Sequence, residues 1–296
     1  MALQRNVLLR CSSKESTTMK KGTITTIIMS IALIVGLSLL LYPTFSDYWN
    51  KSVQSKAVAS YIKDIENMDE EKYAEIWNSA VDYNDRLLSR PNKYKLTAEL
   101  SERYNDELNV SGTGMMGYIE IPKIDVQLPI YHTTDEKVLQ VAIGHIDWTS
   151  LPTGGVNTHC VLSSHRGLPS AKLFTDLDKL AVGDTFMLWI MDDLLTYEVD
   201  QILIVEPDDS EALMVQEGKD LCTLVTCTPY GINSHRLLVR GHRIDNAEKA
   251  EAVRVTADAI VIDKLVVAPY VLVPILLVMF IALLASTSKK KRRNDR

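Results

Sequence analysis

Thr223-Leu224-Val225-Thr226-Cys227-Thr228-Pro229 is the most informative stretch of this chain. Its β-branched and apolar residues predict a strand, and the proline, which cannot donate to a β-ladder, ends the pairing. The strand therefore carries one thiol, that of Cys227, to its carboxyl end. A second apolar run, residues 236–240, predicts a neighbouring strand that begins with the guanidinium of Arg236. This arrangement favours a cysteine nucleophile with a cationic neighbour.

Around this pair, the sequence from residue 117 onward predicts short strands, because runs rich in Val, Ile, Leu and Thr alternate with Pro, Gly, Asp or Asn. The predicted strands are 117–121, 126–131, 141–146, 159–163, 185–191, 195–205, 221–226 and 236–243. Residues 171–180 predict one short helix, and Asp192-Asp193 predicts a hairpin turn. About eight strands in roughly 130 residues favour a mainly β fold, either a closed barrel or a sandwich.

The region before these strands has a helical pattern. Residues 55–88 carry apolar side chains at helical spacing, interrupted by a polar interval at 66–72 that predicts a turn between two helices. We interpret the apolar stripe as a surface that packs on the domain that follows. Residues 90–110 are polar and weakly patterned, which predicts a linker or mobile segment.

Two uncharged apolar stretches, residues 23–42 and 265–285, are each long enough to cross a bilayer as a helix. The first is longer than the apolar core of a signal peptide, and no small-x-small site follows it, so a retained anchor is favoured. The second contains Pro269 and Pro274, which membrane helices tolerate. The alternative for the second stretch, a buried core helix, is disfavoured by its length and basic flank.

Charge predicts the orientation of the two spans. The segment before the first span carries a net charge of +4 and the segment after the second +5, whereas the whole chain carries −6 and the middle therefore about −15. Basic flanks stay in the cytoplasm, so both termini are predicted to be cytoplasmic and the acidic middle extracellular. The acidic middle lacks the basic surface with which proteins bind nucleic acid. Membrane topology and contact with anionic lipids explain the basic ends.

The chain has four cysteines, of which Cys11 is predicted to be cytoplasmic. The other three cannot all pair with one another, so at least one thiol outside the membrane stays free. Cys222 lies five residues before Cys227 and therefore faces the opposite side of the strand. We interpret Cys222 and Cys160 as inert buried thiols. The cysteines lack the C-x-x-C spacing of a zinc site, so no metal or cofactor is predicted.

Cys227 needs a base, because a free thiol titrates near about 8.5. Of the six histidines, His165 alone follows an apolar strand and precedes a Gly-Pro loop, so it is the candidate base, with an exposed loop histidine as the alternative. His235 and His242 are nearer in sequence but less favourably placed. Arg236 would stabilise the thiolate and an oxyanion, or would be a surface arginine at a strand start.

These residues resemble the sortases, the surface transpeptidases of Gram-positive bacteria. Residues 223–227 are similar to the TLxTC signature of that family, His165 to its strand-end histidine, and Arg236 to its arginine after the cysteine. Residues 172–184 and 117–122 are also similar to family motifs, so the resemblance covers residues 79–243 in order. It implies a sortase-like eight-stranded β-barrel in which His165, Cys227 and Arg236 are catalytic and no cofactor is needed.

The resemblance and the two spans together predict the domain organisation. The predicted segments are a basic tail at 1–22, a transmembrane helix at 23–42, a helical extension with a possible lid at 43–110, the catalytic barrel at 111–245, a linker at 246–264, a second transmembrane helix at 265–285, and a basic tail at 286–296. The helical extension and the second span resemble class C, the pilus-assembling sortases.

That class implies a membrane enzyme that cleaves LPxTG-like sorting signals and joins pilin subunits through lysine isopeptide bonds, with oligomeric state left open. One motif departs from the class: the Asp-Pro-aromatic tripeptide of its lids is missing, and residues 90–94 stand in the expected region without it. Two alternatives remain. One is a housekeeping-type sortase that attaches proteins to cell-wall peptide, and the other is a membrane-tethered binding module with an inert barrel.

Overall fold

The computed structural model describes residues 21–246 of the chain. Within these residues the chain forms four α-helices and eight strands. The helices are α1 (Lys21–Glu66), α2 (Glu70–Leu88), α3 (Ala98–Tyr104) and α4 (Glu136–Leu139). The strands are β1 (Met115–Ile121), β2 (Val126–Tyr131), β3 (Ile143–His145), β4 (Thr158–Ser163), β5 (Thr185–Ile190), β6 (Asp193–Val205), β7 (Asp220–Thr228) and β8 (His235–Ile244).

The strands form a closed barrel in the order β1-β2-β3-β4-β7-β8-β6-β5, so the predicted barrel is confirmed and the sandwich is excluded. Most neighbours are antiparallel, but β2 pairs with β3 and β4 pairs with β7 in parallel. The parallel pairing of β4 with β7 is the one that positions the candidate site, because it brings the carboxyl ends of both strands to the same edge of the barrel.

The barrel interior is filled by side chains that alternate along the strands with outward-facing ones. Phe186 and Tyr197 stack at its centre, with ring centroids 5.5 Å apart. Cys160 and Cys222 are register partners on β4 and β7, and both are buried, so the predicted burial is confirmed. These contacts make the barrel a packed core and not a pore.

Two local predictions within the barrel region are wrong, and a third is displaced by one residue. The predicted strand 141–146 is shorter, because α4 and the turn after it occupy the chain up to Ala142 and β3 covers only Ile143–His145. The predicted helix 171–180 is reduced to one 3-10 turn, Leu177–Lys179, since Leu173 adopts a positive φ of 42° that a helix cannot accommodate. The hairpin turn is confirmed but lies one residue earlier, at Met191-Asp192.

The segment 90–110 is not wholly a linker, which corrects the prediction. Its residues Ala98–Tyr104 form α3, which is capped by the side chain of Thr97 and buries Leu100 and Tyr104 against the main core. The Tyr104 hydroxyl lies 2.8 Å from Nδ1 of the buried His145. Two buried residues spaced four apart were therefore enough to fix a short helix in an otherwise polar stretch.

Helix α1 runs without interruption through Pro43, so the predicted span 23–42 and the start of the predicted helix at residue 55 belong to one element. Among the described residues, α1 is the one helix long and apolar enough to cross a bilayer by length and composition. The predicted second span, both basic tails and Cys11 lie outside the described residues. Toward its end, α1 packs on the barrel, where the Tyr61 hydroxyl donates to the Met116 carbonyl at 2.8 Å and accepts from the Met191 amide at 2.8 Å.

Candidate active site

Cys227 and Arg236 are directly opposite each other on the antiparallel strands β7 and β8. Directly opposed residues point to the same face of a sheet, with β-carbons about 4.5–5.5 Å apart. That face is the outer one, because Cys222, an odd number of residues away, lies in the barrel core. The partly exposed thiol therefore has a guanidinium as its neighbour across the ladder.

His165 reaches the same level from the other side of β7. Parallel pairing of β4 with β7 ends at Ser163 and Val225, and the Ser164 amide then donates to the Val225 carbonyl at 3.2 Å. The Thr226 hydroxyl donates to the Ser164 carbonyl at 2.9 Å. The same register, extended two residues past the last ladder pair, sets the backbone of His165 level with Cys227. The structure thus brings the three predicted site residues to one edge of the barrel.

The His165 imidazole has an acidic partner that the sequence did not indicate. Its Nε2 lies 3.2 Å and 3.3 Å from the carboxylate oxygens of Glu136, which stands at the start of α4. Hydrogen bonds from Gln140 and His165 lower the pKa of Glu136 from its ordinary value. Since the contact joins residues 29 positions apart and α4 has only one turn, no local pattern revealed it. Glu136 is therefore a carboxylate in direct contact with the candidate base.

Helix α1 holds both segments that flank His165. The Gln54 amide donates to the Val141 carbonyl, just after α4, at 2.7 Å. The Asn50 amide donates to the Ser170 carbonyl at 2.7 Å, and the Asp47 carboxylate accepts from a backbone amide two residues further along at 2.9 Å. The α4 segment and the loop after His165 are therefore fixed to the same helical surface.

The loop after His165 also contacts the loop after Cys227. The Tyr230 ring lies 5.8 Å from the Arg166 guanidinium carbon and packs closely on Gly167. Arg166 is itself bound to Asp178. The two loops that carry the candidate nucleophile and base are therefore packed on one another.

The Arg236 guanidinium is turned toward the β7–β8 loop, where Nη1 donates to the carbonyls of Asn233 at 3.4 Å and His235 at 3.2 Å. Arg240, which lies four residues further along β8, is different. It makes two 2.9 Å hydrogen bonds to the Asp200 carboxylate and is largely covered. Within residues 21–246, the Arg236 guanidinium makes no ion pair with an acidic side chain, unlike that of Arg240.

An apolar cluster lies on the same outer face as Cys227. Val161, Val225 and Leu238 project from β4, β7 and β8, and Leu213, from the connection between β6 and β7, covers them. Because Val225 is two residues before Cys227 on one strand, the cluster begins beside the thiol. We call Val161, Leu213, Val225 and Leu238 the outer cluster.

His159 secures the connection that covers the outer cluster. Its Nδ1 donates to the Met214 carbonyl at 3.0 Å, and its Nε2 accepts from the Thr223 hydroxyl at 2.7 Å. Burial is the main cause that lowers the pKa of His159 to about 4. The lowered pKa favours the neutral ring at physiological pH, and a neutral ring is compatible with both hydrogen bonds.

The segment where a class C lid was expected lies beside this surface. Arg90 Nη2 donates to the Trp148 carbonyl at 2.6 Å, and the rings of Tyr94 and Trp148 meet edge to face at 5.7 Å. Residues 90–94 are thus packed on the barrel without an Asp-Pro-aromatic motif. Within residues 21–246, no group of three or more His, Cys, Asp or Glu side chains has a metal-binding arrangement.

Comparison with known proteins agrees with this geometry. Residues 119–244 match the sortase domain family. Sortase D of Bacillus subtilis is 33% identical over 131 residues, which cover 43% of this chain and 63% of that protein, so the match spans less than two thirds of its length. Sortase A of Bacillus anthracis is 26% identical over 231 residues, which cover 78% of this chain and 100% of that protein.

Solved structures are more similar still. Sortase C1 of Streptococcus agalactiae is 52% identical with a TM-score of 0.63, and the similarity covers 64% of this chain and 99% of that one. Sortase C of Streptococcus pneumoniae, whose structure is described in terms of catalysis and pilin substrate specificity, is 44% identical with a TM-score of 0.59 and covers 64% of this chain and 97% of that one. The chain therefore belongs to the sortase family, and among sortases it is most like class C.

Proposed function

We propose that the chain is a membrane-anchored cysteine transpeptidase that cleaves LPxTG-like sorting signals and joins pilin subunits through lysine isopeptide bonds. The observation that carries the proposal is the shared edge of the barrel, where Arg236 opposes Cys227 and the β4 register leads His165 to the same level. A thiol, an imidazole and a guanidinium can supply the nucleophile, the proton carrier and the oxyanion donors of acyl transfer through a thioester.

In the first half of the reaction, the Cys227 thiolate attacks the carbonyl carbon of the Thr–Gly bond. The carbonyl oxygen becomes an oxyanion, which the Arg236 donors stabilise. The C–N bond then breaks, protonated His165 gives its proton to the departing amine, and a thioester remains on Cys227.

In the second half, the ε-amine of a lysine on the next pilin attacks the thioester carbonyl. His165 takes up the amine proton, the C–S bond breaks, and the thiolate of Cys227 is restored as an isopeptide bond forms. Glu136 is placed to stabilise the imidazolium, because its carboxylate contacts Nε2 of His165 directly.

The outer cluster offers an apolar surface for the sorting signal. It begins two residues before Cys227 on the same strand face and is covered by Leu213. A leucine and a proline ahead of the scissile bond would pack there after the β6–β7 connection moves aside. The pilin substrate specificity described for the pneumococcal relative supports a pilin as the partner.

The membrane assignment rests on α1 and on charge. Helix α1 passes the length and composition criteria for a span, and the basic flanks of residues 23–42 and 265–285 favour cytoplasmic termini with the barrel outside. Pilins that carry spans of their own would meet the enzyme on one surface, which raises effective concentration without new contacts.

A trapping experiment tests the proposal. The full chain in nanodiscs is incubated with an LPxTG-containing peptide and examined by intact-protein mass spectrometry. We expect an adduct whose mass equals that of the peptide cleaved after threonine, localised to Cys227. An adduct on another residue, or none with any sorting peptide, would refute the assignment.

The acceptor separates pilin assembly from attachment to the cell wall. In parallel reactions, the same enzyme receives either a lysine-bearing pilin or a wall-peptide amine. Ladders of pilin joined by isopeptide bonds support the proposed function. Product from the wall-peptide amine alone would instead identify the housekeeping activity.

A further inference from the structure

Helix α1 carries a row of exposed aromatic side chains immediately after its uncharged stretch. Tyr42, Phe45, Tyr48 and Trp49 are 55%, 67%, 73% and 62% exposed. Their spacing of three, three and one residues places them on one side of a helix with 3.6 residues per turn. We call these four residues the aromatic face.

The other side of the same helical segment is occupied. Asp47, Asn50 and Gln54 make the hydrogen bonds to the segments that flank His165. At 3.6 residues per turn these three positions lie nearly opposite the aromatic face. The barrel therefore forms hydrogen bonds with one side of the helix and leaves the aromatic face, on the other side, uncovered.

We propose that the aromatic face binds the headgroup region of the lipid bilayer and so fixes the His165 side of the barrel beside the membrane. Tyrosine and tryptophan concentrate at the membrane–water interface, where one end of the ring is apolar and the other is wet. Continuity argues for lipid as the occupant, because the face begins at the residue where the uncharged stretch 23–42 ends.

Dimensions and charge agree with that occupant. Tyr42 and Trp49 are separated by about 10 Å along a helix axis, which is enough for the aromatic face to reach across the whole interfacial layer of one leaflet, about 5–8 Å thick. Beyond the aromatic face, Lys56 is exposed on the same side of the helix and suits lipid phosphates, whereas Lys51 pairs with Asp47 at 3.9 Å on the other side. Without contact with lipid, the four rings of the aromatic face would form an exposed apolar patch on the protein surface.

The inference rests on the proposed membrane anchoring. Fluorescence quenching tests whether the aromatic face contacts lipid, and carbonate extraction tests the anchoring itself. The full chain is placed in nanodiscs that contain phospholipids brominated either near the headgroup or near the acyl-chain end. Trp49 is one of four tryptophans, so the Trp49→Phe variant supplies the background to subtract. We expect the Trp49 signal to be quenched more strongly by the shallow bromines than by the deep ones.

A functional arm uses a matched control. One variant carries Phe45→Ser, Tyr48→Ser and Trp49→Ser, and the control carries Val156→Ser, Val182→Ser and Ile204→Ser, three exposed apolar residues elsewhere on the barrel. We expect the first variant to process a membrane-held sorting substrate about fivefold more slowly than wild type while it cleaves a soluble peptide normally. The control should match wild type with both substrates.

Three results would overturn the inference. One is an unquenched Trp49 in chains that resist carbonate extraction from membranes. A second is cross-linking of Tyr48→Cys between two copies without lipid quenching, which would identify a second copy as the occupant. The third is equal behaviour of the serine variant and its control on the membrane-held substrate. Release of wild type by carbonate would instead refute the anchoring itself.

Discussion

The Tyr230 ring packs so closely on Gly167 that a β-carbon added at Gly167 would lie 2.8 Å from the ring. Gly167 is two residues after His165 and Tyr230 is three residues after Cys227, so this contact joins the loops that carry the candidate base and nucleophile. Gly167 also has a φ of +75°, a conformation that L side chains rarely adopt. The position thus excludes a side chain for two independent reasons.

We predict that Gly167→Ala slows turnover by about tenfold, because the displaced Tyr230 ring shifts one catalytic loop relative to the other. The left-handed backbone adds a stability cost of about 1–2 kcal/mol. Gly218→Ala is the matched control, since Gly218 has a φ of +76° and no atom within 4 Å of the added carbon. It should lose similar stability, measured by denaturant unfolding, and keep its turnover. Equal turnover in both variants would contradict the role of the contact.

We predict that Cys227→Ala and Cys222→Ala have opposite effects. Cys227→Ala should lower turnover by roughly a thousandfold or more, with stability unchanged, because a partly exposed sulfur is lost. Cys222→Ala should keep its turnover but lose about 1 kcal/mol of unfolding free energy, since it leaves a small cavity in the core. Kinetics with a fluorogenic sorting peptide and urea unfolding distinguish them. Normal thioester formation by Cys227→Ala would end the assignment.

We predict that Arg236→Lys remains impaired by roughly a hundredfold, because an ammonium cannot reproduce the planar fork of donors that holds an oxyanion. Arg240→Ala is the control on the same strand. It breaks the ion pair with Asp200, so it should lower the melting temperature and leave turnover nearly unchanged. If Arg240→Ala were the more damaging of the two to turnover, Arg236 would lose its proposed role.

We predict that Glu136→Gln lowers turnover by about tenfold without a change in melting temperature, because it removes the charge that faces the His165 imidazole. Glu206→Gln offers a like-for-like comparison. Glu206 pairs with His235 at 3.3 Å and is similarly exposed, but its partner histidine is not the candidate base. The activity of that variant should equal the wild-type activity. A wild-type rate for Glu136→Gln would show that His165 acts without this carboxylate.

We predict that stability falls as pH drops from about 6.5 to 4, in part because of His159. The folded pKa of about 4 lies below the unfolded value near 6.5, so the unfolded chain binds more protons in this window and the stabilisation is lost as pH decreases. The upper limit for one such group is roughly 3 kcal/mol. Unfolding of His159→Gln across this range should show a shallower pH dependence than unfolding of the wild-type chain. Burial also lowers the pKa of His132, so part of the slope will persist.

The sequence predicted the barrel and the positions of its strands because β-branched runs bounded by turn residues are a local signal. It placed Cys227, His165 and Arg236 at strand ends for the same reason, and their catalytic roles remain a prediction. Two contacts of this site were not predictable. Glu136 reaches His165 from a helix of one turn, and Tyr230 meets Gly167 across two loops, so neither pair has a sequence spacing to recognise.

Short elements were missed where tertiary packing decided the local structure. Helix α3 has only Leu100 and Tyr104 as buried residues, too few for a periodic pattern. The α1 segment through Pro43 continued as helix although proline disfavours helix interiors, and the predicted helix 171–180 was broken at Leu173. In each case long-range contacts or a single backbone angle overrode local propensity.

The position of β8 in the barrel has a consequence for biosynthesis. Of the strands in residues 21–246 this one is synthesised last, it pairs with both β6 and β7, and it supplies Arg236. A nascent chain that has reached Cys227 therefore has neither its arginine nor a closed barrel. Closure of the barrel and the placement of Arg236 opposite Cys227 therefore both wait for the strand that ends at Ile244.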